Sequence, residues 1–234
     1  MMAETMDPLA IYRRELLRWN VHTNLVSRES PDQQVSLLID QCAAAWRALA
    51  TGLDGLAPAA AEDLARGSVG YVDIGSGGGF PGIPWLLAGM RVPPVVSCLV
   101  EPRARRAWFL ERVVALAGLK GTGVLAARWG AEPLPIDRAA TPGTWILSLM
   151  ALRLTDPQIL SGWRRSVGGQ GGGAAPRIVI ARVRPATQAG PIPAALRAEL
   201  SLPDDESCRL LPCGPAESGS SLLLSIYGRP LVAT

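Results

Sequence analysis

Between Tyr71 and Pro84 the chain reads YVDIGSGGGFPGIP, a β-branched run that delivers an acid and then a burst of glycines into a helical segment. Val72 and Ile74 read as a buried strand. Gly75, Gly77, Gly78 and Gly79 allow positive φ and close backbone approach, so amides can face a ligand where a side chain would block it. Asp73 stands two residues ahead of the first of these glycines. A second apolar run, VVSCLV from Val95 to Val100, ends at Glu101, 28 residues after Asp73. In a doubly wound sheet the ends of the first two strands are neighbours, and a carboxylate ending the second accepts hydrogen bonds from both hydroxyls of a ribose. The chemistry implied is the binding of an adenosine-containing cofactor. Two plainer readings stand beside it: a glycine-rich turn without a ligand, and a Glu101 that caps the following helix, whose first turn suits Pro102.

The spacing narrows the ligand. Phe80 replaces the third glycine of the dinucleotide fingerprint, and no Gly-Lys-Ser/Thr follows to hold a triphosphate and its magnesium, which excludes a P-loop. The remaining D-x-G-x-G-x-G turn resembles that of S-adenosylmethionine (SAM)-dependent methyltransferases.

From Tyr71 onward apolar runs alternate with helical patterns, as in a parallel sheet covered on both faces. Strands are expected near 69–74, 95–100, 122–126, 144–148, 176–182 and 221–226, with a further one near 206–211. Helices fit 82–90, 103–118, 155–167 and 192–200. Ahead of the sheet, Leu9, Tyr12, Leu16, Leu17 and Trp19, then Leu38, Ile39, Cys42 and Trp46, recur at helical spacing. Residues 27–32 read as a loop or helix cap, 51–70 as a connector with one short helix, and 168–175 (GGQGGGAA) as a turn. The division expected is a helical extension over 1–66 and a Rossmann-like domain over 67–234.

Several segments together resemble one family, the bacterial ribosomal RNA small subunit methyltransferase G, also called glucose-inhibited division protein B. They are Trp19-Asn20, Thr23 to Arg28 (TNLVSR), Asp73 to Pro84, and Glu101-Pro102 with Arg105-Arg106 and Phe109-Leu110. The Phe-Pro-Gly-Ile-Pro run is the specific part, because generic methyltransferases share the glycines but seldom these prolines. The resemblance implies a seven-stranded, mostly parallel class I methyltransferase fold and methyl transfer from SAM to N7 of a guanosine in the 530 loop of 16S rRNA. Asp73, Gly75, Ser76, Gly77, Gly79, Phe80, Glu101, Arg128, Trp129 and Ser148 are then the expected cofactor-binding residues. Phe80 and Trp129 are placed to line the adenine or the target base, although bulky apolar residues also suit the core.

Departures from the family pattern fall on the acceptor side. A histidine of the family is absent from Ser36 to Gln41 (SLLIDQ), where Leu37 stands instead. The Ser-Arg-Ala after the fourth strand becomes Ser148-Leu149-Met150-Ala151, leaving Arg153 to substitute from the next helix, and the lysine ending the fifth strand becomes Arg182. Arg153 and Arg182 are therefore the expected catalytic residues. A related methyltransferase with another RNA or a small-molecule acceptor, and a non-catalytic RNA-binding relative, remain open alternatives; a narrow apolar pocket near Leu149 and Met150 would favour a small molecule.

Composition sets the outer bounds. With 234 residues, 48% of them hydrophobic, and no apolar run of membrane-spanning length, a soluble domain is expected, with no membrane partner. The first residues lack the order of a secretory signal, so a cytoplasmic location is expected. Cysteines 42, 98, 208 and 213 form no C-x-x-C pair and His22 is the sole histidine, so no metal is expected. The formal charge is +3, and Lys120 is the sole lysine. Arg103, Arg105, Arg106 and Arg112 on one helix, and Arg13, Arg14 and Arg18 on another, suit phosphates or a solvated face. Expected partners are 16S rRNA or the 30S subunit, met by a monomer.

Overall fold

The computed structural model describes residues 7–136, 142–167, 176–185, 191–205, 207–213 and 220–228. The turn expected at 168–175 lies outside the described residues. Helix α1 (Pro8–Thr23) begins where Asp7 accepts the Leu9 amide at 3.3 Å and ends where Asn24 takes a left-handed φ of 52°. Helix α2 (Pro31–Leu56) opens at Ser30 and Pro31, and α3 (Pro58–Ala65) follows at once. The stretch 51–70, expected as a connector, is therefore mostly helical. Gly52 sits inside α2 because Leu211 and Leu224 press on it; a Cβ there would stand 2.5 and 2.9 Å from their methyl groups. That glycine reports close packing, not a turn.

Seven strands follow: β1 (Val69–Ile74), β2 (Val96–Val100), β3 (Thr122–Leu125), β4 (Thr144–Met150), β5 (Arg177–Pro185), β6 (Cys208–Pro212) and β7 (Ser220–Tyr227). They form one sheet in the order β3-β2-β1-β4-β5-β7-β6, in which β7 runs against both of its neighbours and the other pairs are parallel. All six residues of β1 and all five of β2 are buried, which is why both read as near-continuous apolar runs. The interleaved helices are α5 (Ala104–Leu116), α6 (Asp156–Val167) and α7 (Ala194–Leu200). The helix expected at 82–90 is instead a short α4 (Gly82–Pro84) continued by one π turn, Trp85–Gly89. Two indoles occupy this corner: Trp85 packs edge-on against Trp46 with ring centres 5.4 Å apart, and its Nε1 donates to the Cys42 carbonyl at 2.9 Å.

Side-chain parity along the strands divides the core. Tyr71, Ile146, Val179 and Leu224 pack against α1, α2 and α5 on one face. Val72, Trp145, Leu147, Leu149 and Ile180 pack against α6 on the other. Strand order reverses between β1 and β4, so the C-terminal edge of β1 is the switch point at which open α/β sheets bind ligands. Among the described residues no helix is long and apolar enough to cross a membrane.

Candidate active site

At that edge Gly75, Gly77 and Gly79 take φ of 73°, 55° and 96°, the left-handed region in which a Cβ is costly. The amides of Gly75 and Ser76 donate to the Val100 carbonyl at 2.8 and 3.0 Å, tying the turn to the end of β2. Glu101 is 4% exposed, and its two carboxylate oxygens accept the Gly77 amide at 2.9 Å and the Arg103 amide at 3.0 Å. Each oxygen carries a second lone-pair site. The carboxylate is thus held by backbone in a fixed plane while retaining acceptor capacity.

Helix α1 and the loop after it brace the turn from above. The Tyr12 hydroxyl donates to the Gly78 carbonyl at 2.8 Å, and its ring meets Phe80 edge-on at 5.7 Å. Asn20 Oδ1 accepts the amides of Leu25 and Val26 at 2.7 and 2.9 Å, and Arg106 donates to the Asn24 carbonyl at 2.9 Å. These bonds give Asn20 and the Asn24-Leu25-Val26 segment their place: they set Leu25 against the glycine turn. Tyr12 was legible only as a helix core position, although a buried tyrosine needs a partner for its hydroxyl.

Two adjoining cavities open here. One, of about 420 Å³, is lined by Leu25, Gly77, Phe80, Glu101, Arg106 and Met150 among others. The other, of about 660 Å³, is lined by Val100, Arg128, Trp129, Leu154, Gln158 and Arg165 among others. Gly75, Pro102 and Leu152 belong to both. Trp129 is fixed against α6: its Nε1 donates to the Ile159 carbonyl at 3.0 Å, and Gly162 leaves the room, since a Cβ there would come within 2.1 Å of the indole. Gln158, Ser161 and Arg165 were not legible as site residues, because only the fold brings α6 opposite the β3 end.

Several expected residues lie behind the site or outside it. Ser148 is buried and donates to Asp73 Oδ1 at 2.6 Å while sharing a hydrogen bond with the Tyr71 hydroxyl at 2.7 Å. Asp73 and Ser148 line neither cavity; they form a buried floor under the turn. Leu149 is 1% exposed, turns into the α6-side core and lines neither cavity, whereas Met150 lines the smaller one. Arg153 is exposed on the loop before α6, not on the helix, and lines neither cavity. Arg182, the other expected catalytic residue, lies on β5. It is 2% exposed, faces α6 by strand parity, pairs with Asp156 and donates to the Leu154 carbonyl at 3.1 Å. Of the arginines expected on phosphates, Arg112 is bound to Glu15 at 2.6 Å and Arg13 to Asp32 at 2.9 Å. Among the described residues no cluster of His, Cys, Asp or Glu could hold a metal ion.

Burial pushes the Asp73 carboxyl up to about 7, outweighing hydrogen bonds to its charged form, of which Ser148's is the largest. An unfolded aspartate titrates at about 3.9, so the folded chain holds this proton more tightly. The contribution to stability is full below about pH 4 and is lost as pH rises through about 7. Urea unfolding of Asp73→Asn beside the parent is expected to show a difference in stability that changes by a few kcal/mol across that window, with the parent falling relative to the variant. A pH-independent difference would show that Asp73 titrates normally.

The strand order, the antiparallel β7 between β5 and β6, and a glycine turn and acid ending β1 and β2 define a Rossmann-like class I methyltransferase fold. Residues 5–140 match the family model described as rRNA small subunit methyltransferase G, and the chain belongs to that family. The ribosomal RNA small subunit methyltransferase G of Cupriavidus pinatubonensis is 32% identical over 168 residues, covering 68% of this chain and 62% of that protein. Its counterpart in Cupriavidus necator is 34% identical over 161 residues, with 67% and 62% covered. That of Rhodospirillum centenum is 34% identical over 134 residues, with 57% and 53% covered. The matched stretches thus span between 53% and 62% of these relatives' lengths.

Proposed function

We propose that this chain is a SAM-dependent methyltransferase whose acceptor is 16S rRNA, at N7 of a guanosine in the 530 loop, met as naked RNA or within the 30S subunit. The observation that carries the reading is Glu101: a buried carboxylate oriented by two backbone amides, with acceptor capacity left on both oxygens, beside a positive-φ glycine turn. That geometry fits the two hydroxyls of a ribose. The larger cavity, between Pro102, Arg128 and Trp129, fits an adenine, and the glycine turn borders the smaller cavity, which fits the amino-acid end. Bound SAM supplies an electrophilic methyl group on a sulfonium.

The residues present suit an acceptor that needs no base. Guanine N7 carries a free lone pair at neutral pH, so no proton has to leave before attack. What the chain contributes is placement: Phe80, Met150 and Leu152 give apolar walls that exclude water, and Arg103 and Arg106 at the lip supply positive charge for phosphate. Holding donor and acceptor in line is worth up to about 7–11 kcal/mol of barrier in well-oriented reactions. The absence of the family's arginine at Leu149 is consistent with this division of labour, since that side chain lies in the core. The test is to incubate the purified chain with methyl-labelled SAM and either 30S subunits or naked 16S rRNA lacking the modification, then digest the RNA and look for 7-methylguanosine. Saturable SAM binding with no labelled RNA in either form would transfer the reading to another acceptor; no SAM binding with or without RNA would overturn it.

A further inference from the structure

Helix α5 leaves the site directly. It starts three residues after Glu101, with Arg103 at its N-terminal cap on the lip of the smaller cavity. Residues 105, 108 and 112 are spaced i, i+3 and i+7 and share one stripe of its outer surface. Arg112 fixes where that stripe lies, because its guanidinium reaches Glu15 on α1 at 2.6 Å while 42% of its side chain remains exposed. Between the two arginines stands Trp108, 61% exposed. The chain has seven tryptophans, and the other six are buried or half-buried, two of them, Trp85 and Trp129, with their indole nitrogens bonded to backbone carbonyls. Packing does not account for Trp108: its helix is anchored by Ala107, Phe109, Leu110 and Val113 on the opposite side.

An exposed indole flanked by arginines is suited to a polyanion carrying flat aromatic groups. Stacking on an aromatic face is indifferent to base identity, and a neighbouring arginine, here Arg105, tracks the backbone beside it. We infer that Arg105 and Trp108, on the stripe that the Glu15-bound Arg112 ends, are a docking surface for a single-stranded RNA segment flanking the target nucleotide, with one base stacked on Trp108 and Arg105 beside its backbone. The inference rests on the reading of RNA as the acceptor. Trp108 lies five residues along the helix from Arg103, roughly 7.5 Å of rise and about 140° around the axis, so a strand leaving the cavity lip reaches the indole by curving over the N-terminal turn of α5 for more than one nucleotide.

The test is filter binding of naked 16S rRNA to the parent, Trp108→Ala, Trp108→Phe and Arg105→Ala over a range of salt concentrations. Calorimetric SAM affinity and the urea midpoint of each variant serve as folding controls. Trp108→Ala is expected to weaken RNA binding about tenfold by the same factor at every salt concentration, because stacking releases no counterion. Trp108→Phe is expected to retain most of the affinity. Arg105→Ala is expected to reduce the slope of log affinity against log salt by about 0.7 to 0.9. Parent-like RNA binding by Trp108→Ala overturns the surface while leaving the methyltransferase reading intact. A Trp108→Phe variant as weak as the alanine one also overturns it, as does a change in self-association with RNA binding unchanged. A parent that binds neither naked 16S rRNA nor, in the same assay, 30S subunits overturns both.

Discussion

Glu101→Ala is expected to weaken SAM binding by about 10²- to 10⁴-fold, measured by titration calorimetry, with the unfolding midpoint shifting far less. The size follows from the geometry. In the parent, both carboxylate oxygens keep one acceptor position beyond the Gly77 and Arg103 amides. Two ribose hydroxyls bonded to a charged acceptor are worth about 1.5–3 kcal/mol each, and alanine removes both. It also releases the Gly77 amide, which holds the positive-φ turn in register. Glu101→Gln should fall between, because its carbonyl keeps one acceptor while its NH₂ faces backbone donors. SAM and its demethylated product share the ribose, so both should lose affinity by the same factor. A loss confined to SAM would place Glu101 near the sulfonium instead, and binding within threefold of the parent would remove it from the site.

What was legible in the chain, and what was not, divides by contact range. The parallel strands stood out because burial on both faces makes each a continuous apolar run, and the glycine turn because positive φ demands glycine at fixed spacing. The same residue type misled at Gly52, where a helix continues to Leu56, because a glycine that admits Leu211 from β6 looks like a breaker in one dimension. The brace of the turn was out of reach for a different reason. Tyr12 and Gly78 are 66 residues apart, and nothing in a helical stripe tells which core position carries a hydroxyl with a distant carbonyl to satisfy. Position along a strand was the remaining difficulty. Arg182 stands near the end of an apolar run, and parity, which only the sheet's register defines, turns it to the α6 side, where Asp156 pairs with it.

That register makes Arg182 the position where substitution should cost most in stability. Arg182 and Asp156 are 2% and 0% exposed, and Tyr227 donates its hydroxyl to the second oxygen of the same carboxylate. Removing one member of a buried pair leaves the other's charge uncompensated, a loss of about 3–5 kcal/mol. Arg182→Ala should therefore lower the urea-derived stability by that amount and the melting temperature by about 10 °C, at the 2–4 °C per kcal/mol usual for a chain of this length. Tyr227→Phe removes only one neutral donor and should cost about 1 kcal/mol. The double variant Arg182→Met, Asp156→Asn should recover most of the single-variant loss, because no charge is then left buried, and that recovery is what separates an ion-pair effect from simple loss of packing. The cavity should register the change as well: the Arg182 guanidinium holds the Leu154 carbonyl, and Leu152 on the same loop borders both cavities. SAM affinity should fall by a smaller factor than for Glu101→Ala, and in proportion to the loop's release. If Arg182→Ala left stability within 1 kcal/mol of the parent yet abolished methyl transfer, the guanidinium would have to act on substrate, and its burial against Asp156 would be the feature in need of another explanation.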